Sequence, residues 1–226
     1  MIDFGKTLIV AAHPDDDILG CGGLISRLSS MGELIRVIFI AEGTTCRYEN
    51  ITDEVKNEIE FRNQCGVNAL KILGVSDYKF YNFPCGRLDS EPIIDIAKLI
   101  EKEIKEYKPK SILTHSQNDV HNDHKVVNQA VIQATRPINN LVKNLISFEI
   151  LSSTEWKYSD VFKPNFFVDI SDSLSKKLEA MSCYSSEQPS SPHPRSNNII
   201  TSLASIRGSQ SGVTFAEGFE IVRIFY

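Results

Sequence analysis

Short apolar runs alternate with amphipathic stripes along the first half of this chain. Thr7-Leu8-Ile9-Val10-Ala11-Ala12, Ile35–Ile40, Tyr78–Tyr81 and Ser111–Thr114 are four to six residues long and read as strands. Between them lie helical stretches from about Gly22 to Met31, from about Thr52 to Leu73, after Pro92 and from about Asp123 to Ala134. Ile93, Ala97, Ile100, Ile104 and Tyr107 repeat at helical spacing and mark one buried stripe. Val127, Val131 and Ala134 do the same for the next helix. Gly32 and Gly74 close two of these helices and Pro109 a third. Strands separated by helices of this length predict right-handed crossovers and an α/β fold with a Rossmann-like, mainly parallel sheet. The second half is less regular. Leu145–Leu151, Phe166–Ile170 and Glu217–Phe225 read as strands, with a helix capped by Asp172 that reaches Met181 and another over Asn197–Ile206. The Pro-rich stretch from Ser185 to Pro194 suits neither helix nor central strand. Only a short segment follows it, so one domain over residues 1–226 is expected.

Two polar clusters interrupt this pattern, each just after a strand. His13-Pro14-Asp15-Asp16-Asp17 follows the first, and Asn118-Asp119-Val120-His121-Asn122-Asp123-His124 follows the fourth. If those strands are parallel neighbours, both clusters meet at one carboxyl edge, where open α/β sheets place their chemistry. Helix capping by Asp16 or Asp17, and by Asp119 or Asp123, accounts for one acid at each place but not for the rest. Two imidazoles and a carboxylate suit Zn²⁺, with Fe²⁺, Co²⁺ or Mn²⁺ as alternatives, and leave a position open for water and substrate. A further carboxylate can then move protons, and a spare imidazole can face an oxyanion, a set suited to amide hydrolysis. The Gly20-Cys21-Gly22-Gly23 run lacks the order of a phosphate cradle and reads as close helix–strand packing beneath the loop.

Composition narrows the class. With 226 residues, 42% hydrophobic, 23% charged and net charge −5, the chain is an ordinary globular protein without the basic surface of a nucleic-acid binder. No apolar run reaches membrane-span length, and the N-terminus reads as a strand rather than a secretion signal. The five cysteines have no CxxC spacing and read as reduced thiols, so a cytoplasmic location is expected.

The paired motifs, Ala12-His13-Pro14-Asp15-Asp16-Asp17 and His121-Asn122-Asp123-His124, resemble those of the LmbE-like, PIG-L type deacetylases. Ile72–Val75, Pro192–Ser196, Arg207-Gly208 and Ala216–Phe219 extend the resemblance over most of the chain. It implies a zinc-dependent N-deacetylase that hydrolyses the acetamide of an N-acetylated amino sugar or its conjugate. By that resemblance His13, Asp16 and His124 hold zinc. Asp15 is general base and then acid on a zinc-bound water, His121 faces the oxyanion, and Asp123 fixes a histidine tautomer. Arg62, His193 and Arg195 are expected at the substrate. For Arg62 a surface ion pair with Glu58 is the competing reading, and Trp156 is expected in the core rather than on a sugar face. The chain departs from the family pattern at Asp17, Cys65 and Cys85, which leaves the substrate open. An amide hydrolase of a non-sugar metabolite and a catalytically silent sugar-binding protein are the alternatives. A homo-oligomer stays open.

Overall fold

The computed structural model describes residues 2–138 and 142–226. Its centre is a seven-stranded sheet, built from β1 (Thr7–Ala11), β2 (Ile35–Ala41), β3 (Asp77–Phe83), β4 (Ser111–His115), β5 (Asn144–Phe148), β6 (Phe166–Asp169) and β7 (Ala216–Ile224). The order is β3-β2-β1-β4-β5-β7-β6. The first five strands in that order are mutually parallel, and β7 runs antiparallel between β5 and β6. The mainly parallel α/β sheet read from the chain is therefore present.

Six helices cover the two faces: α1 (Asp16–Ser30), α2 (Asp53–Ile72), α3 (Ile93–Tyr107), α4 (Asn122–Ala134), α5 (Leu174–Ser182) and α6 (Asn197–Ser211). Side chains of β1 alternate between the faces. Ile9 joins a core with Leu24 and Ile25 of α1, Leu70 of α2, Met181 of α5 and Ile200 of α6. Leu8 and Val10 join the opposite core with Ile96, Ile100 and Ile104 of α3 and Val127 and Val131 of α4. The predicted stripes of α3 and α4 are the faces they bury.

Strand β5 ends at Phe148 rather than Leu151, and three helix boundaries also differ from the periodicity. Helix α1 begins at Asp16 rather than near Gly22, because it consists of two helical segments joined at Cys21, whose φ of −149° and ψ of 23° are non-helical. The glycines at this joint let α1 lie on the sheet. A Cβ on Gly20 would stand 2.4 Å from the ring of Phe148, and one on Gly23 would stand 2.7 Å from Ile170. The second segment starts with its own cap, since Glu217 accepts from the N–H groups of Gly23 and Leu24 at 2.8 Å each. Helix α5 is preceded by Ser173, not Asp172. The Ser173 hydroxyl donates to the Gly23 carbonyl instead of capping its own helix. Helix α6 runs past Ile206 to Ser211, where Gly212 takes a φ of +79°.

Strand β1 pairs in parallel with both β2 and β4. The chain order reverses at this point. The two polar clusters leave the carboxyl ends of adjacent strands, and the condition on which the site depends is met.

Candidate metal and catalytic site

The turn after β1 is built to gather side chains. Asp15 has a φ of 114°, a left-handed conformation that strains a non-glycine residue and is tolerated where surrounding contacts enforce it. The Asp16 carboxylate accepts from the His13 backbone N–H at 2.8 Å, which closes the turn. Five aspartates, Asp15, Asp16, Asp17, Asp119 and Asp123, are almost completely buried around three histidines, His13, His115 and His124.

The three residues expected to hold a cation come together. His13 Nδ1 is 3.2 Å, and His124 Nε2 3.4 Å, from Asp16 Oδ2. The far side of each ring meets a carboxylate. His13 Nε2 is 2.9 Å from Asp123 Oδ2, and His124 Nδ1 is 3.1 Å from Asp119 Oδ2. Asp119 is fixed in turn by the hydroxyls of Ser153 at 2.9 Å and Thr154 at 2.7 Å. Asp123 accepts from the N–H groups of Gly86 at 2.6 Å and Leu88 at 3.1 Å. Carboxylates behind imidazoles orient the opposite ring nitrogens towards Asp16.

His115 also approaches, with Nε2 3.6 Å from Asp16 Oδ2. That nitrogen already accepts the Ala12 N–H at 2.8 Å, so its lone pair is used in tying β1 to β4. Burial first, then the neighbouring His124, holds His115 well below the usual imidazole range, and it remains neutral. His115 lies inside the strand pattern, which gives no sign of its place in the pocket, and Asp119, expected as a possible helix cap, instead stands behind the His124 ring.

The buried acids and imidazoles of the pocket shift one another's charge. Burial opposes charge on His124, yet Asp16 and Asp119 raise it to about 10. Burial also opposes charge on Asp16, which the charge on His124 and the hydrogen bonds to His124 and His13 nevertheless hold well below the carboxylate range. Burial, with Asp15 and Asp16 adding repulsion, pushes Asp17 up to about 8. Asp16 Oδ1 is buried with no hydrogen-bond partner among the described residues. Asp16 thus carries one unpartnered oxygen and one that two oriented imidazoles face, a donor set that fits a divalent transition metal.

Asp15 stands apart from this set. Its Oδ2 meets Arg195 at 2.7 Å and Arg62 at 3.1 Å, while its Oδ1 is buried and unpartnered among the described residues. Burial pushes its carboxyl up against the downward pull of Arg195 and Arg62. His121 lies at the head of α4, and its Nδ1 accepts from the Asp123 N–H at 3.2 Å. The Nε2 edge therefore carries the ring proton. Burial, then His124 and His13, lowers this imidazole to about 4.

The residues expected at the substrate fall into two groups. Arg62 is only 7% exposed and holds Asp15 and the Pro14 carbonyl rather than Glu58. Glu58 instead accepts from Tyr48. Arg195 and His193 line an open cleft of about 220 Å³ with Arg47, Ser152 and Glu187. Glu187, unread in the sequence, bridges Arg47, Arg62 and Arg195. Trp156 is 46% exposed in a short 3-10 turn, Thr154–Trp156, and not in the core.

Residues 8–135 match the family described as GlcNAc-PI de-N-acetylase, PIG-L. The chain belongs to this family. Among PIG-L relatives, diacetylchitobiose deacetylase of Thermococcus kodakarensis is 27% identical over 230 residues, covering 97% of this chain and 84% of that protein. The probable N-acetyl-alpha-D-glucosaminyl L-malate deacetylase 2 of Bacillus cereus is 25% identical over 183 residues, covering 80% and 82%. In fold, the chain superposes on N,N'-diacetylchitobiose deacetylase from Pyrococcus horikoshii with a TM-score of 0.79 at 22% identity, covering 98% of this chain and 85% of that one. Among the described residues no helix is long and apolar enough to cross a membrane.

Proposed function

We propose that this protein is a metal-dependent N-deacetylase that releases acetate from an N-acetylated amino sugar or its conjugate. The names of the sugar deacetylases it resembles support the substrate class. The observation that carries the reading is Asp15, a buried carboxylate next to Asp16 in the chain, with one oxygen held by two arginines and the other buried and unpartnered among the described residues. His13, Asp16 and His124 would hold the cation, with Zn²⁺ the best match to two nitrogens and a carboxylate. When bound, such an ion polarises a carbonyl and lowers the pKa of water towards neutrality.

The other groups divide the remaining work. Asp15 Oδ1 takes a proton from the attacking water and returns it to the departing nitrogen, so that amide and water become amine and acetate. Burial raises its pKa and favours that return, while Arg62 and Arg195 keep the carboxylate aimed. His121 offers its Nε2 proton to the developing oxyanion as a neutral imidazole. Asp123 keeps the proton of His13 on Nε2, and Asp119 keeps that of His124 on Nδ1. Arg195 and His193 face the sugar or its aglycone in the cleft.

Acetate release from a panel of N-acetyl amino sugars tests this reading. At least one sugar should turn over, and Asp15→Asn should lower kcat by about 10²–10⁴ while metal stays bound. Turnover by Asp15→Asn near the unmodified rate, or none on any sugar, would remove the proposal.

A further inference from the structure

Two thiols with no part in this chemistry face each other at the rim of the site. Cys46 is exposed in the 3-10 turn Thr45–Arg47 after β2, and Cys85 is buried in the turn after β3. Their sulfurs are 3.0 Å apart, although the residues are 39 positions apart in the chain. One carboxylate holds both turns. Glu42 Oε1 accepts from the Cys85 N–H at 2.8 Å and from the Thr45 hydroxyl, and Oε2 accepts from the Thr45 N–H at 3.0 Å. A Cβ on Gly86 would stand 3.0 Å from Cys46 Cβ, so the turns are in contact. The sulfurs need to approach by only about 1 Å to bond.

The pair is connected to the candidate metal site through one residue. Gly86, next to Cys85, donates its N–H to Asp123 Oδ2 at 2.6 Å, the same oxygen that meets His13 Nε2. Cys85 Sγ, a His13 ring nitrogen and an Asp123 oxygen lie within 4.8 Å of one another. A shift of Cys85 therefore disturbs the carboxylate that orients a ligand.

We propose that Cys46 and Cys85 are a dithiol that hydroperoxides oxidise to a disulfide, and that this bond weakens metal binding and slows the site. Cys46 sulfur attacks one peroxide oxygen, the O–O bond breaks, and water or an alcohol leaves with the thiol proton. The resulting sulfenic acid is attacked by Cys85 sulfur, and the expelled hydroxide leaves as water with the Cys85 proton. Two thiols lose two electrons, and the peroxide gains them. Exposure makes Cys46 the first to react, and the hydrogen bond from Cys85 lowers its thiol to about 6. Cys85, buried behind it, is the resolving thiol.

The full chain, loaded with Zn²⁺ and treated with hydrogen peroxide, is then alkylated under denaturing conditions and mapped by peptide mass spectrometry. A Cys46–Cys85 cross-link is expected, with Cys21, Cys65 and Cys183 alkylated. Zn²⁺ affinity should fall roughly tenfold, as when support behind a ligand is lost. Acetate release should fall in parallel, and dithiothreitol should restore both. Cys46→Ser should keep the basal values and resist peroxide, and Cys85→Ser provides the same comparison from the other side. The cross-link and the Zn²⁺ affinity are read without substrate, so a wrong substrate class does not obscure them. Alkylated Cys85 after oxidation overturns the proposal. So does a cross-link that leaves Zn²⁺ affinity unchanged, or equal peroxide losses in the unmodified chain and Cys46→Ser.

Discussion

Replacing Asp123 by Asn exchanges one oxygen for an amide group and leaves the shape unchanged, so its effect isolates charge and hydrogen-bond polarity. The carboxylate faces three nitrogens: Gly86 N and His13 Nε2 on Oδ2, and Leu88 N on Oδ1. An amide NH₂ can be placed in two ways. On the Oδ2 side it opposes both the Gly86 N–H and the His13 proton. On the Oδ1 side it opposes only the Leu88 N–H, which is the cheaper choice. That choice leaves two donors, the Leu88 N–H and the amide NH₂, facing each other unpaired, at about 1–3 kcal/mol each. It also removes a negative charge from the first turn of α4, worth about 0.3–1 kcal/mol. His13 then keeps a neutral partner, roughly half as strong as the charged one. Loss of support behind a ligand costs about 10–100-fold in metal affinity. The assays are Zn²⁺ affinity by chelator competition and denaturant unfolding of the metal-free protein. Affinity within twofold of the unmodified chain, with unchanged unfolding, would refute the role given to Asp123.

Three other outcomes follow from the same geometry. His121→Ala should lower kcat by about a hundredfold or more with little change in KM, measured as acetate release. Gly20→Ala should destabilise the fold by about 1–3 kcal/mol in denaturant melts, because the added methyl meets the fully buried ring of Phe148. Glu103 is the third case. Burial opposes its charge, but bonds from Lys79, Tyr81 and Arg36 hold it below the ordinary carboxylate range. Its stabilisation is therefore complete above the unfolded value of about 4.3 and is lost as pH falls through the lower folded value. The stability gap between the unmodified chain and Glu103→Gln should stay constant from neutral pH to about pH 5 and close below it. A gap independent of pH would remove Glu103 as its source.

The parts of the fold most legible in the chain were those with strong periodicity. Helix α3 appears as a single apolar stripe, and β1, β2 and β4 as short buried runs, because burial on a known face fixes residue type. The start of α1 was hidden because its first segment, Asp16–Gly20, is too short to carry a helical stripe and opens on two acids. Arg62 was placed at the substrate in one reading and on the surface in the other. Its burial behind Asp15 depends on α2 packing beside the turn after β1, and nothing in the spacing within α2 records that.

Amino-acid order alone determined the element types, the mainly parallel sheet and the two acid-and-imidazole segments. Local steric preference and apolar spacing are written into short stretches of chain. Tertiary structure alone decided that β1 and β4 are neighbours, and so that the segments share one pocket. It also decided that His115 spends its lone pair on Ala12, that Asp119 and Asp123 stand behind different rings, and that Cys46 meets Cys85. Each of these turns on which atoms face one another across strands and loops far apart in the chain. Hydrogen bonds of a few ångströms set that choice, and residue spacing does not encode it.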